Sequence, residues 1–256
     1  MLEAMKESSA SSTVQSSGFD CPDCKDTGFI LEKDEEGRLI GKECKCYQIR
    51  RAKQLLQNSG LAEFVGHQTF DSFIAETPVQ KNIKTTAERY LHDLLALKGK
   101  KEERKPWLFV GGNPGSGKTH ICTAVCGELL KDGVPVKYMQ WITEAKRLKS
   151  YLDPDEFDEQ VESYISTPVL YIDDLLKQKY TENPVFTEAD IKIAFTVLNA
   201  RYFANKPTII SSEWDLINHL LEADEGVFSR VYERCKGYTV LIGRNRENDF
   251  RLKGSA

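Results

Sequence analysis

Short apolar runs alternate with segments of helical periodicity along most of the chain. Apolar runs of about four to eight residues bounded by turn residues are typical of buried strands, whereas apolar positions three and four residues apart are typical of helices. Strands that alternate with helices form a parallel sheet with helices on both faces, so the pattern predicts an α/β domain. The predicted buried strands lie at 107–110, 136–141, 169–172, 206–212 and 238–242.

Helical periodicity fills the intervals between these strands and extends upstream of them. Thr77 before Pro78, and Thr187 three residues before Asp190, are N-terminal signals for two of the helices. The predicted helices lie at 47–58, 77–97, 121–129, 143–152, 156–165, 187–203, 214–222 and 226–234. We expect a disordered serine-rich tail at 1–18, a small N-terminal module at 19–60 and one α/β domain at 61–256. Within that domain we expect a polar loop at 175–186.

Composition excludes several classes of protein. The 256 residues are 40% hydrophobic and 29% charged, which is ordinary for a soluble globular protein. A net charge of −4 argues against a surface that binds nucleic acid everywhere. The chain has no apolar run near the roughly 20 residues of a membrane span and no signal-peptide core, so we expect a cytoplasmic protein without a membrane partner.

The loop after the strand at 107–110 carries the strongest chemical signature of the chain. It reads Gly112-Asn113-Pro114-Gly115-Ser116-Gly117-Lys118-Thr119 and fits Gly-x4-Gly-Lys-[Ser/Thr], the phosphate-binding P-loop. Its glycines let successive backbone N–H groups face a phosphate, and the following helix directs its positive end there. The alternative is a glycine-rich turn beside an ordinary lysine. The residues predicted to bind the nucleotide are Asn113, Pro114, Gly115, Ser116, Gly117, Lys118, Thr119, His120 and Asp173.

Four of the predicted site residues have specific roles in phosphate and metal chemistry. Lys118 would reach the β- and γ-phosphates of ATP, and the Thr119 hydroxyl would hold Mg2+. The apolar run at 169–172 ends in Asp173-Asp174, at the carboxyl edge of the sheet where ligands of parallel sheets bind. Asp173 is predicted to bind Mg2+, and Asp174 to orient or deprotonate the attacking water. The alternative is a strand that ends in a polar turn.

Two close pairs of cysteines precede this domain. Four thiolates in two pairs suit a tetrahedral zinc ion, and two short predicted strands between the pairs would fold as a ribbon over the metal. Four cysteine ligands leave no open coordination position, so the module is predicted to recognise a partner and not to catalyse. The alternative is four unrelated reduced cysteines. The predicted zinc ligands are Cys21, Cys24, Cys44 and Cys46.

Taken together, these elements resemble the AAA+ ATPases of the DnaC/DnaI helicase-loader group, including relatives encoded by bacteriophages. The resemblance rests on the cysteine module, the P-loop, the block Asn199-Ala-Arg-Tyr202…Lys206-Pro-Thr-Ile-Ile and the helix Ser229-Arg-Val-Tyr-Glu-Arg234. It implies a five-stranded AAA+ sheet and hydrolysis of ATP to ADP and phosphate. It also implies that the protein binds a hexameric replicative DNA helicase, loads it onto single-stranded DNA, and assembles its ATPase modules side by side.

The resemblance also assigns roles to three arginines. Carried over by position, Arg234 is the expected finger that reaches the γ-phosphate of a neighbouring subunit, and Arg230 is its companion. Arg251 falls where some loaders carry a further nucleotide-sensing arginine. The alternative for Arg230 and Arg234 is a solvated helix face.

Two positions depart from the pattern of that group. Asp174 stands where many members have the longer glutamate, so we expect slower water activation. Glu213 stands where a polar sensor asparagine is usual, and a carboxylate cannot donate a hydrogen bond. In its place, Ser211 or Ser212 would orient the water.

Two other functions remain open from the sequence. An IstB-type transposition helper would share the ATPase but act with a transposase, and copurification of a helicase or a transposase would separate the two hypotheses. A small-molecule kinase would use the P-loop to transfer a phosphoryl group. The paired arginines, the Asp-Asp strand end and the cysteine module argue against the kinase.

Overall fold

The structure, a computed structural model, describes residues 21–100, 103–151, 153–177, 186–243 and 245–253. The predicted tail at 1–18 and most of the predicted polar loop, at 178–185, lie outside the described residues. The chain divides into two compact units, one up to Arg51 and one from Ala52 onward.

The first unit contains an antiparallel hairpin. Strand β1 (Phe29–Lys33) pairs with strand β2 (Leu39–Glu43) along its full length. The Asp34 carboxylate shapes the turn between them, because it accepts a hydrogen bond from the Arg38 amide at 2.8 Å. Helix α1 (Lys45–Ser59) begins after β2 and ends in the second unit. The hairpin agrees with the ribbon predicted between the two cysteine pairs.

The second unit is built on a five-stranded parallel sheet, as predicted. Its strands in chain order are β3 (Leu108–Gly112), β4 (Val136–Gln140), β5 (Val169–Asp173), β6 (Thr208–Ser212) and β7 (Thr239–Ile242). Within the sheet they lie in the order β4-β5-β6-β3-β7. Because all five strands are parallel, the carboxyl ends of β3, β5 and β6 lie next to one another at one edge.

Helices cover both faces of this sheet. Two begin as the sequence predicted, since the Thr77 and Thr187 side chains accept hydrogen bonds from the Gln80 and Asp190 amides, both at 3.2 Å. Among the described residues, no helix is long and apolar enough to cross a membrane. The helices are α2 (Pro78–Ala96), α3 (Lys118–Lys131), α4 (Trp141–Ser150), α5 (Pro154–Ser166), α6 (Glu188–Phe203), α7 (Leu221–Ala223), α8 (Glu225–Arg234) and α9 (Phe250–Lys253), with a π-helical turn at Leu216–Leu220 and a 3-10 turn at Arg246–Asn248.

The central strands are apolar on both faces because helices pack on both faces. In β3, Leu108 and Val110 enter the core beneath α2 and α3, whereas Phe109 enters the core on the opposite face. All five side chains of β5 are buried. This two-sided burial explains why the sequence shows continuous apolar runs there and not an alternation of apolar and polar residues.

Several element boundaries differ from the prediction. The strand predicted at 206–212 begins at Thr208, and the helix predicted at 214–222 is a π-helical turn followed by α7. The junction of β4 and α4 also differs. Strand β4 ends at Gln140, and Trp141, which was predicted to be the last strand residue, begins α4. The Trp141 side chain is buried in the core. A buried apolar residue at a junction extends the apolar run of the strand, so periodicity alone could not separate the two elements.

A fully buried arginine joins three elements at the opposite end of the sheet. The Arg201 guanidinium in α6 donates to the carbonyls of Tyr164 and Thr167, both at 2.9 Å, and its Nε donates to the Thr208 hydroxyl at 3.0 Å. These contacts satisfy carbonyls that the end of α5 leaves without helical partners. The Asn199–Ile210 block therefore includes a structural contact between α5, α6 and β6.

Candidate nucleotide-binding site and cysteine cluster

The predicted P-loop connects β3 to α3 in a conformation that requires glycine. Gly112 has a φ of +108°, and a Cβ atom at this position would lie 2.1 Å from the Ile242 carbonyl oxygen. Gly115 and Gly117 also have positive φ values, of +72° and +84°. The Asn113 amide donates to the Ile242 carbonyl at 3.0 Å, which fixes the loop against β7. The glycines thus allow a close approach between the loop and the neighbouring strand.

Lys118 lies folded onto the loop that it follows. Its ammonium donates to the carbonyls of Gly112 and Asn113, both at 2.9 Å, and the residue is only 6% exposed. Burial lowers the pKa of Lys118, because the surroundings disfavour the charged form. A phosphate bound in the loop would give this ammonium an ionised partner in place of neutral carbonyls.

The two predicted Mg2+ ligands are in direct contact. The Thr119 hydroxyl donates to Asp173 Oδ1 at 3.0 Å, and adjacent oxygen ligands of an octahedral Mg2+ ion are also about 3 Å apart. Asp173 is held by other hydroxyl groups as well, from Tyr171 at 2.7 Å, Tyr138 at 2.9 Å and Ser211. This oxygen-rich pair therefore fits a magnesium ion. The sequence predicted Asp173 but not the two tyrosines that orient it.

Asp174 takes a different orientation from Asp173. Its backbone is left-handed, with a φ of +57°, and its amide donates to the Ser211 hydroxyl at 3.0 Å. Its carboxylate accepts from the Lys177 ammonium at 2.8 Å, and Lys177 also donates to Glu213 at 2.9 Å. Burial raises the pKa of Asp174 above its usual value. The structure thus places the predicted water-activating carboxylate in an ion-pair network that sequence reasoning missed.

A cavity of about 380 Å3 lies beside the P-loop, and six of the predicted site residues line it: Gly115, Gly117, Lys118, Thr119, His120 and Asp174. Its lining therefore includes charged and polar groups that could meet phosphates. It also includes the aromatic side chains of Phe73 and Phe250, whose ring centroids are 5.9 Å apart. Charged groups for phosphates and aromatic rings for a base suit a nucleotide. Asn113, Pro114, Ser116 and Asp173 are not among the residues that line the cavity.

Two segments away from the P-loop also line this cavity, and of their residues only Arg251 had a site role predicted from the sequence. His120 Nε2 donates to the Thr69 carbonyl at 2.9 Å and lies 3.2 Å from the Ser72 hydroxyl oxygen, which joins α3 to the segment before α2. At the C-terminal end of the chain, the Phe250 amide donates to the Gly115 carbonyl at 2.9 Å. Arg251, next in the chain, also lines the cavity, and its nucleotide-sensing role stays a prediction.

The three residues at and after the end of β6 differ in what they offer to the cavity. The Ser211 hydroxyl donates to Asp173, and the Ser212 hydroxyl donates to the Leu175 carbonyl at 2.9 Å. Both serines are fully buried, whereas Glu213 lines the cavity and pairs with Lys177. Neither serine hydroxyl therefore points a free donor at a bound nucleotide.

The two described arginines of α8 do not line the cavity of their own chain. The Arg234 side chain is buried, and its guanidinium donates to Asn205 Oδ1 at 2.8 Å and to the carbonyls of Tyr202 at 2.5 Å and Lys105 at 3.2 Å. Arg230 is half-buried and lies over the rings of Tyr202 and Phe203. Arg234, the expected finger, is thus engaged in the fold of its own subunit, and Arg230 is the more accessible of the two.

The cysteine cluster belongs to the first unit. Its four sulfur atoms lie within 4.8 Å of one another, and tetrahedral zinc with Zn–S bonds of about 2.3 Å separates its sulfurs by about 3.8 Å. Arg50 donates to the Cys46 sulfur at 3.0 Å, and the Gly28 amide donates to the Cys24 sulfur at 3.3 Å. Burial opposes ionisation of Cys24, but hydrogen bonds from Cys46 and Gly28 hold its pKa below the usual value, whereas burial and the contact with Cys24 hold the pKa of Cys46 above it. These donors suit metal-bound thiolates, so the four predicted cysteines fit a zinc ion.

Comparison with known proteins decides the family. The model of the family described as "IstB-like ATP binding protein" matches residues 32–229, which is more than half of the chain. The chain belongs to this family. A relative from Bacillus subtilis (strain 168), the phage-like element PBSX protein XkdC, is 33% identical over 242 residues, which are 93% of this chain and 88% of that protein. The predicted relation to IstB-like and phage-encoded ATPases is confirmed.

Solved structures agree on the fold of this IstB-like protein. The structure of the DnaC helicase loader has a TM-score of 0.56 and 21% identity, and the match covers 70% of this chain and 98% of that chain. The structure of DnaI has a TM-score of 0.52 and 20% identity, with 75% of this chain and 93% of that chain covered. At these identities the matches show the fold alone, which is the AAA+ fold of the loaders. The predicted fold class is therefore confirmed.

Proposed function

We propose that this protein is an ATP-Mg2+ switch that loads a hexameric replicative DNA helicase onto single-stranded DNA and hydrolyses ATP to ADP and phosphate. One observation carries the ATPase part. Lys118, Thr119 and Asp174 line one cavity, and the Thr119 hydroxyl donates to Asp173 beside it, although the chain separates the first two residues from the two aspartates. The loader part rests on the fold that the chain shares with the DnaC helicase loader.

Each of these four polar residues has a proposed role in ATP binding or hydrolysis. Lys118 would exchange its carbonyl partners for the β- and γ-phosphates, and the backbone N–H groups of the P-loop would bind the same oxygens. Thr119 and Asp173 would hold Mg2+, which neutralises charge on the phosphates when bound. Asp174 would orient the attacking water and accept its proton. Phe73 and Phe250, which also line the cavity, would bind the adenine base.

The accessible arginine of α8 is the better candidate for a contact between subunits. Arg234 donates three hydrogen bonds within its own chain, so it would have to leave these partners to reach a neighbour. Among the described residues, Arg230 donates a hydrogen bond to the carbonyl of Gly226 in its own helix and stacks on aromatic rings. In the proposed side-by-side assembly, Arg230 would contact the γ-phosphate of the adjacent subunit, and Arg234 would anchor the helix that carries it.

The cysteine cluster would give the first unit its stability and its recognition surface. Cys21, Cys24, Cys44 and Cys46 would hold zinc, which supplies folding energy that so small a unit lacks in an apolar core. The hairpin above it exposes large apolar side chains, including Leu31 at 69% and Leu39 at 65% exposure. Such residues suit a contact with another protein, which we propose to be the helicase.

The second candidate function is that of an IstB-type transposition helper, and the description of the matching family favours it. Both functions need the same ATPase, so they differ only in the partner. The protein should be mixed with the replicative helicase of its own cell, with and without ATP-Mg2+, and the complex measured by size exclusion with light scattering. A complex of hexamer-scale mass supports the loader, whereas copurification of a transposase without such a complex supports the helper.

The switch requires that binding of ATP controls loading. Lys118→Ala removes the ammonium that would contact the phosphates, so this variant should fail to load the helicase onto single-stranded DNA. Lys98→Ala is the matched control, because Lys98 pairs with Asp132 on the surface outside the cavity. Loading by the Lys118 variant at the wild-type rate would contradict the proposal.

A further inference from the structure

The cavity lacks a hydrogen-bond donor at the position after β6 where a sensor asparagine is usual in the group that the sequence resembles. Among the three described residues at and after the end of β6, Ser211 donates to Asp173 and Ser212 donates to the Leu175 carbonyl. Glu213, the residue that does line the cavity, has a carboxylate and therefore accepts hydrogen bonds but does not donate them. A γ-phosphate has only acceptor oxygens. A donor must therefore come from another part of the chain if this edge is to contact the phosphate.

Lys177 is placed to supply that donor. Its ammonium lies 2.8 Å from Asp174 Oδ2 and 2.9 Å from Glu213 Oε1, and its side chain lines the same cavity as Lys118. An ammonium carries three N–H donors, so the two carboxylates leave one N–H for a third acceptor. Burial opposes the charged form, but the hydrogen bonds to Asp174 and Glu213 raise the pKa of Lys177, so the group stays a cation.

We propose that Lys177 is a second phosphate-binding lysine whose ammonium contacts the γ-phosphate of ATP, and that Glu213 is the positioning residue that aims it. This inference rests on the ATPase function proposed above. The Glu213 carboxylate then has a definite role. It holds the Lys177 ammonium at the position where a neutral sensor side chain would itself donate a hydrogen bond to the γ-phosphate. Lys177 and Glu213 act together as the sensor.

The same contact links recognition of ATP to hydrolysis. Without nucleotide, the Lys177 ammonium is shared between Asp174 and Glu213. A γ-phosphate that binds the third N–H would draw the ammonium toward itself and weaken its ion pair with Asp174, so that the Asp174 carboxylate can accept a proton from water. ADP has no γ-phosphate and leaves the ion pair intact. The arrangement therefore predicts that Lys177 contributes to the affinity for ATP but not to the affinity for ADP.

The test is the affinity of the full-length protein for ATP and for ADP in the presence of Mg2+, measured by competition with a fluorescent nucleotide. Lys177→Met keeps the length of the side chain and removes its charge. We expect its ATP affinity to fall about 10-fold, as for one charge-assisted hydrogen bond, with ADP affinity changed less than about 2-fold. Lys177→Arg keeps a cationic donor and should retain most of the preference for ATP. Lys98→Met, at the surface pair with Asp132, is the matched control and should change neither affinity.

Glu213→Ala tests the positioning role. The lysine and its charge remain, but one of its two anchors is lost, so the preference for ATP over ADP should fall in the same direction as in Lys177→Met. Turnover should fall with it. Circular dichroism of each variant checks its folding, and Lys177→Arg keeps the inference testable if the methionine variant does not fold.

The outcomes separate the inference from the proposed function. A wild-type protein that binds neither nucleotide overturns both. A wild-type protein that prefers ATP, with the same preference in Lys177→Met, overturns the role of Lys177 and leaves the ATPase intact. Faster hydrolysis by Lys177→Met would show that the ammonium restrains Asp174 without contacting the phosphate, and this result also overturns the inference.

Discussion

Substitution by methionine should lower the free energy of unfolding much more at Arg234 than at Arg230, the two arginines of α8. Arg234 donates to three acceptors inside its own chain. Arg234→Met would leave the Lys105 carbonyl without this donor, whereas Asn205 Oδ1 and the Tyr202 carbonyl would each lose a charged donor but keep a backbone amide, from Lys105 and Asn205 respectively. Orphaned buried acceptors cost about 1–3 kcal/mol each and are not additive around one guanidinium. Nε of Arg234 already lacks a partner in the described structure, which reduces what the wild-type side chain contributes. We therefore expect a loss of about 2–3 kcal/mol in the free energy of unfolding.

Arg230→Met should cost much less, because Arg230 is half-buried and its hydrogen bond among the described residues goes to a carbonyl of its own helix. We expect a change of about 0.5 kcal/mol or less. Urea unfolding followed by tryptophan fluorescence measures the difference. Trp107, Trp141 and Trp214 are the tryptophans of the chain and are all buried in the second unit, so their signal reports on that unit. Equal loss of stability in the two variants would refute this division of roles.

The functional half of the prediction uses mixed subunits. Arg230→Met should fold but lose hydrolysis, since the neighbour's γ-phosphate is no longer contacted, and Lys118→Ala should lose hydrolysis because its own site binds ATP poorly. A mixture of the two variants should regain activity. In mixed assemblies an intact nucleotide site of the first variant lies beside an intact Arg230 of the second. A mixture as inactive as its components would contradict a contact between subunits through Arg230.

Further predictions concern the fold, the P-loop and the cysteine cluster. Arg201→Met should lower the free energy of unfolding by about 3–5 kcal/mol, because a fully buried hydrogen-bonded network loses its centre, and a urea midpoint close to wild type would speak against this. Gly112→Ala should cost about 2–4 kcal/mol and abolish nucleotide binding, since its Cβ would overlap the Ile242 carbonyl, and ATP affinity within about 2-fold of wild type would show that the loop adapts. The purified protein should contain one zinc per chain by metal analysis and Cys44→Ser should lose it, so a metal-free wild type with a folded first unit would exclude the zinc site.

The sequence by itself determined the features whose information lies in neighbouring residues. The P-loop is an unbroken run of eight residues, and its glycines have the positive φ values that the pattern requires. Asp173 could be predicted because the strand before it is apolar on both faces and ends at the edge where ligands bind. The central strands β3, β5 and β6 were predictable for the same reason, since two-sided burial leaves apolar runs, whereas the edge strands β4 and β7 are only partly buried.

Only the tertiary structure decided which distant residues share the site. Lys177 and Glu213 meet because β5 and β6 are adjacent and parallel, so their carboxyl ends lie together, and no local pattern records that pairing. The contact of Phe250 with Gly115 depends in the same way on β7 lying beside β3. The division between the two arginines also required the fold, because positions four apart on a helix look alike in sequence. Burial and hydrogen-bond partners distinguish them, and both depend on elements far along the chain.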